Sequence, residues 1–310
     1  MACGLLFVFS SCAEDMVKPI ENDKDAPGTV QDVKTESLPG AVKFTYTLPS
    51  DPDLLYVLAK YTNKTGKVME FRSSFYTNSV TVEGFGDTDT YKVELYTVDR
   101  SENRSQPQIV EVAPLTPPIL SCYESLSVVS DFGGMTFEMD NKFKSDLAIY
   151  VCTPDELGDM VLAETFYSAR EEIVYSVRGY DAVPRRFGIF LQDKYGNETD
   201  TLFTELTPIY ERELDKTKFR EMYLQNDSRV DSYDGKMEYV WNGRISKDGD
   251  SGGVGLHTGT GTKDGPAVFT FDLGVLAKLS RFALWAIQDD KHFYNDMSRD
   301  ATKYGDALRN

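Results

Sequence analysis

YKVELYTVDRSENRS, residues Tyr91–Ser105, and RRFGIFLQDKYGNET, residues Arg185–Thr199, are one phrase written twice. Each opens on a run in which apolar and polar residues alternate. Each closes on Asp-(Arg/Lys)-x-x-Asn-x-(Ser/Thr). Alternation puts every second side chain on one face, so both runs read as half-buried strands. Asp and Asn bond nearby backbone, so the closing motif reads as a hairpin turn rather than a chemical site. Asp99 corresponds to Asp193, Asn103 to Asn197 and Ser105 to Thr199, each pair 94 positions apart.

The repeat extends outward from these turns. GAVKFTYTL and GGMTFEMDN recur at nearly the same offset, matching Gly40 with Gly134. LLYVLAKY and LAIYVCTP match after a slip of one residue. A period of this size is that of a sandwich of seven short strands in about 100 residues. Two tandem immunoglobulin- or fibronectin-III-like sandwiches are therefore expected, over 26–114 and 115–208, with no helix in either. Pro114, Pro117 and Pro118 mark the junction and stiffen it. Cys122 and Cys152 fall in the second sandwich. An exported chain could oxidise them, but a cysteine inside an apolar strand also serves as a small hydrophobe; both readings stay open.

Composition agrees with an all-β chain and narrows the chemistry. Of 310 residues, 18 are Tyr and 18 are Phe, types that favour pleated, half-buried surfaces. The net charge of −17, with no Lys/Arg stripe, argues against a nucleic-acid partner. Only two histidines occur, His257 and His292, which leaves little for His-based or zinc chemistry. No pair of carboxylates is singled out for glycoside hydrolysis, and neither a Ser-His-Asp order nor a nucleophile elbow is present. Gly252, Gly253 and Gly255 do not follow a strand and open a helix, and no Gly-Lys-Ser/Thr follows them, so a phosphate loop is rejected. The chain is read as not an enzyme.

The N-terminus supplies an address. Gly4 to Phe9 is apolar and too short to span a bilayer. Phe9-Ser10-Ser11-Cys12 resembles a bacterial lipobox, which implies cleavage before Cys12 and a lipid on its thiol. Residues 1–11 are then a signal peptide and 12–25 a flexible tether. Ala13-Glu14-Asp15 resembles the surface-export signal of Bacteroidota lipoproteins. The expected location is the outer membrane, lipid-anchored and facing outward.

After Pro208 the character changes. IYERELDKTKFREMYL reads as a charged connector with one short helix. Beyond it come a Trp-Asn-Gly turn, a Gly-rich loop, a strand ending Phe271-Asp272-Leu273-Gly274 and a strand from Leu279 to Trp285. The series WNG, FTFDLG and LSRFALW resembles the first half of a discoidin, or coagulation-factor type C, module, a jelly-roll sandwich of the galactose-binding-like fold. The segment from PGTVQDVKTESLPGAVKF to YKVELYTVDRSEN resembles the first module of a group of Bacteroidota surface lipoproteins with two such sandwiches and a discoidin-like third. In the discoidin module an (Y/F)EI(W/Y)GS-like strand and a Trp usually follow LSRFALW. This chain reads FYNDMSRDATKYGDALRN instead, so residues 219–310 are expected to form an incomplete, and the least ordered, domain.

The resemblance implies an accessory carbohydrate-binding lipoprotein, non-catalytic, working beside an outer-membrane glycan importer. The alternative is a scaffolding lipoprotein that contacts the importer or other surface proteins. Rim loops of sandwiches carry binding. Sugars need an aromatic face and planar polar groups, so the candidate glycan-binding residues are Tyr239, Asn242, Arg244, His257, His292 and Tyr294. Trp241 and Trp285 sit in strand-like pattern and are expected in the core. No cofactor is expected, unless the oxygen-rich stretch Asp248 to Asp250 holds a structural calcium ion, with Asn242-Gly243 standing where the discoidin resemblance implies an Asp-Gly turn.

Overall fold

The computed structural model describes residues 23–230, 235–244 and 268–283. The chain divides into two compact units, Met1–Ile209 and Tyr210–Asn310. The first unit contains both sandwiches, and its fold is all-β apart from one short helix.

The first sandwich has seven strands: β1 (Gln31–Leu38), β2 (Ala41–Thr47), β3 (Leu54–Thr62), β4 (Val68–Ser74), β5 (Ser79–Glu83), β6 (Tyr91–Asp99) and β7 (Gln108–Val112). They form two antiparallel sheets, ordered β1-β2-β5 and β4-β3-β6-β7. Val42, Phe44 and Tyr46 of β2 and Val80 and Val82 of β5 meet Val57, Ala59 and Tyr61 of β3 and Val93 and Leu95 of β6. The spacing of two within each strand follows from the pleat, which sends alternate side chains to the same face.

The second sandwich repeats this plan with β8 (Ser127–Asp131), β9 (Gly134–Asp140), β10 (Leu147–Pro154), β11 (Met160–Ser168), β12 (Glu172–Arg178), β13 (Arg185–Asp193) and β14 (Leu202–Leu206). Its sheets are β12-β9-β8 and β11-β10-β13-β14. Phe137 and Met139 stand where Phe44 and Tyr46 stand in the first, and all four are buried.

Two expectations are corrected here. A helix, α1 (Pro118–Glu124), precedes β8. Pro118 at its first position gives up no hydrogen bond there, since the opening N–H groups of a helix lack intrahelical partners. Ile119 and Cys122, one turn apart, are buried in the second core. The glycine match also moves by one. Gly133, not Gly134, has the left-handed backbone of Gly40, with φ of 65° against 62°. Gly134 corresponds to Ala41, and it is glycine because a Cβ there would lie 1.8 Å from the carbonyl oxygen of Val177. Both sandwiches tie their exit segment to this corner: Leu115 bridges Pro39, and Ile209 bridges Phe132, each in parallel.

The Asp turns have the same hydrogen bonds. Asp99 accepts from the N–H of Ser101 and of Asn103, both at 2.8 Å, and from the Asn103 amide at 2.9 Å. Asp193 accepts from Tyr195 and Asn197 N–H at 2.9 Å and from the Asn197 amide at 2.8 Å. Ser105 and Thr199 hydroxyls each take a strand N–H at 3.0 Å.

The second of these turns docks on the first sandwich. Tyr195 donates its hydroxyl to Glu83, and Asn197 Nδ2 donates to the Gly84 carbonyl at 3.1 Å. A Cβ on Gly84 would meet the Tyr195 ring at 2.9 Å, and one on Gly86 would meet the Asn197 amide at 2.6 Å. Close approach therefore requires glycine at both positions. Burial, then the Glu83 carboxylate, pushes the Tyr195 phenol well above its ordinary range, so the hydroxyl remains a donor at any physiological pH.

In the second unit a single 3-10 turn, Lys216–Lys218, leads into β15 (Arg220–Met222), which pairs antiparallel with β16 (Thr270–Asp272). The expected connector helix is thus one 3-10 turn and a strand. Leu279 to Ala283, expected as strand, have no regular structure, and Leu284 and Trp285 lie outside the described residues. Phe219, Trp241 and Phe271 pack mutually, with ring centroids 5.2–5.9 Å apart.

Candidate functional site

A shallow cavity of about 530 Å³ opens in the second unit, lined by Lys216, Thr217, Glu238, Tyr239, Trp241, Asn242 and Gly243. Small-ligand sites fall in this size range. Two chain segments build it. The first is the 3-10 turn, whose N-cap Asp215 accepts from Thr217 N–H at 3.1 Å and Thr217 Oγ1 at 2.7 Å. Lys216 pairs with Glu213 at 2.5 Å, and that lysine holds the exposed Glu213 carboxyl below its ordinary range. The second is the 3-10 helix Met237–Val240 and the turn after it. Met237 is buried and anchors this helix, leaving Glu238 exposed and Tyr239 half-buried.

The turn Trp241-Asn242-Gly243-Arg244 has a simple local cause. Asn242 Oδ1 accepts from Arg244 N–H at 2.8 Å, and Gly243 takes φ of 79°. Such Asx turns need a short amide or carboxylate first and favour glycine at the left-handed position. Trp241 is half-buried: its ring rests on Phe219 and Phe271 and also lines the cavity. Lys236 stands 5.8 Å from the Tyr239 ring centre and 3.7 Å from Glu238. The arrangement offers aromatic surface beside an amide, a carboxylate and an ammonium group, which suits a ligand with both C–H faces and hydroxyls.

Of the sequence candidates, the fold brings Tyr239 and Asn242 to one cavity. Arg244 is exposed beside it and is not among its lining residues. His257, His292 and Tyr294 lie outside the described residues, as do Cys12, Asp248 and Asp250. Trp241, expected in the core, serves core and cavity together. Lys216, Thr217 and Glu238 are additions to the sequence candidates, and Gly243 was read there only as part of the Trp-Asn-Gly turn. Glu238 and Gly243 flank the aromatic pair in sequence and could have been found by that adjacency; Lys216 and Thr217 come from more than 20 positions away.

Elsewhere, carboxylate oxygens of Asp23, Asp53 and Asp99 lie within 4.8 Å of one another, but Asp99 is committed to its turn. Cys122 and Cys152 are free thiols. Burial, with help from Asp140, pushes Cys122 up to about 11, which keeps it protonated and unreactive at neutral pH. Among the described residues no helix is long and apolar enough to cross a membrane.

Three family models match the chain, each described as a domain of unknown function: DUF4959 over residues 27–114, DUF5126 over 115–217 and DUF5000 over 241–309. No curated protein matches it. Among solved structures it is similar to a SusE-like protein, at 29% identity and a TM-score of 0.33, over 53% of this chain and 57% of that one. The chain thus spans a little over half the length of that relative. It is also similar to a two-domain fibronectin type-III segment of chicken tenascin, at 12% identity and a TM-score of 0.28, over 58% of this chain and 99% of that one. A third likeness is to the chicken interferon gamma receptor alpha chain, at 10% identity and a TM-score of 0.24, over 59% of this chain and all of that one.

Proposed function

We propose that the chain is a non-catalytic surface lipoprotein of the outer membrane, anchored through Cys12, that holds a carbohydrate in the cavity around Trp241. The observation that carries this reading is the grouping of Trp241 and Tyr239 with Asn242, Glu238 and Lys216 around one open cavity. Aromatic rings take the C–H face of a sugar, and planar or charged groups take its hydroxyls. The lipobox-like N-terminus supports the location. Resemblance of the sequence to accessory glycan-binding lipoproteins supports a place beside a glycan importer.

Native affinity electrophoresis of the purified chain against a panel of soluble polysaccharides tests the reading. At least one should retard migration. Tyr239→Ala and Asn242→Ala should each weaken that retardation about tenfold, the loss of roughly 1–2 kcal/mol of ring or hydrogen-bond contact. Trp241 is a poor test, since its loss also removes packing from Phe219 and Phe271. Absence of retardation across the panel, or full retardation in both variants, would remove the cavity from consideration.

A further inference from the structure

The turn that joins the sandwiches has a twin whose partner is a different part of the chain. Asn197 Nδ2 bonds the Gly84 carbonyl of the sandwich before it. Asn103 Nδ2, the equivalent atom, points back to the segment before its own sandwich: to Asp23 Oδ1 at 3.0 Å, the Asp25 carbonyl at 3.3 Å and the Asp23 carbonyl at 3.4 Å. Ser101 Oγ accepts the Asp23 N–H at 3.1 Å. Residues 23–25, read from sequence as the end of a flexible tether, are therefore bonded to the first sandwich. The path continues inward: Gly28 N–H donates to Asp51 at 2.7 Å, the Gly28 carbonyl accepts from Thr97, and Val30 is buried.

We infer that Asp23–Asp25 is a strap, closed on the first sandwich by the Ser101–Asn103 turn, and that this closure sets the working length of the membrane tether. The length statement rests on the lipid-anchor reading; the strap does not. The second sandwich supplies the internal control, since the same asparagine in the same turn makes a docking contact there too. With the strap closed, ten residues, 13 to 22, separate Cys12 from Asp23 along the chain. Eleven peptide steps span at most about 40 Å. Opening the strap as far as the buried Pro27 adds four residues, or about 14 Å of reach. The strap is thus a two-position spacer: three hydrogen-bonding side chains decide how far the sandwiches can stand from the anchor.

Lys24 makes the strap readable by trypsin, because cleavage needs an extended, released backbone. The full chain is digested under native conditions, and cleavage after Lys24 is followed by mass spectrometry against a synthetic peptide of residues 17–31. The folded chain should be cut there far more slowly than the peptide. Ser101→Ala, which removes one strap bond and leaves the Asp99 turn intact, should speed that cut about threefold; Asn103→Ala should speed it about tenfold or more. Asn197→Ala should leave it unchanged. Cleavage of the native chain at the peptide's rate, or no acceleration in either variant, would overturn the strap. Those outcomes are independent of whether Cys12 carries a lipid, which fractionation of Cys12→Ala reports separately.

Discussion

At the Asp99 turn the middle position is Ser101 and the partner is the chain's own residues 23–25; at the Asp193 turn it is Tyr195 and the partner is the neighbouring sandwich. The frame of both turns is held from within, by Asp, Asn and a hydroxyl. The residues between them are free of that duty. One local structure can therefore be aimed at different partners by changing one side chain. The same division runs through the two sandwiches: the buried alternation is shared, while the corners and the entry segments differ.

The largest expected effects test whether the two cores are separate. Phe44→Ala and Phe137→Ala remove equivalent buried rings and should each cost about 3–5 kcal/mol. Calorimetry should show each substitution lowering the transition of its own sandwich. If both lower one shared transition equally, the unit 1–209 melts as a single body and the comparison belongs to that body alone.

Next is the corner. Gly134→Ala pushes a methyl against the Val177 carbonyl and should cost about 3 kcal/mol. Ala41→Gly, the reverse change at the equivalent position of the first sandwich, should cost only about 1 kcal/mol. Urea midpoints compare the two; equal costs would mean that the second corner relaxes freely.

Tyr195→Phe keeps the ring against Gly84 and removes only the hydroxyl on Glu83. A loss of about 1–2 kcal/mol is expected in the stability of the second sandwich, as for a hydrogen bond to a charged acceptor. An unchanged midpoint would reduce the contact to one of shape. The smallest effect concerns the left-handed position of each turn, where φ is 64° at Glu102 and 85° at Gly196. Glu102→Gly should change stability by at most about 0.5 kcal/mol, because relief of strain is offset by chain entropy, whereas Gly196→Ala should cost about 1 kcal/mol. Costs of equal size would show that Glu102 is not strained.

What was legible in the sequence was what local chemistry writes there. The Asp and Asn spacing in both turns is fixed by bonds within five residues, so it survives as text, and the pleat writes the alternation of β2, β6, β9 and β13. Helix α1 was not legible, because seven residues that begin at Pro118, directly after Pro117, carry too little periodicity to separate a helix from a linker. The glycine pair was misaligned by one because two adjacent glycines, Gly133 and Gly134, are there for different reasons, one for φ and one for space. At the cavity, Tyr239 and Asn242 were readable from their residue types. Lys216 and Thr217 were not, since only the fold brings the turn after Asp215 to the Trp241 loop. Trp241 was half-read, because periodicity reports a buried ring and says nothing of its other side.

The Glu83–Tyr195 contact also gives the joint between the sandwiches a direction. A repeat that docks on its predecessor through one turn and one loop could, if every copy carried both parts, add copies without limit and seed a head-to-tail filament. Here the parts are dealt out once. The position equivalent to Glu83 in the second sandwich is Arg178, which is engaged with Asp131 at 3.0 Å. The position equivalent to Tyr195 in the first is Ser101, which bonds Asp23. At these two positions the second sandwich therefore presents a cation already paired, and the first a small hydroxyl already bonded. The joint is written in the identity of two side chains, Glu83 and Tyr195, and not in the frame that the two sandwiches share.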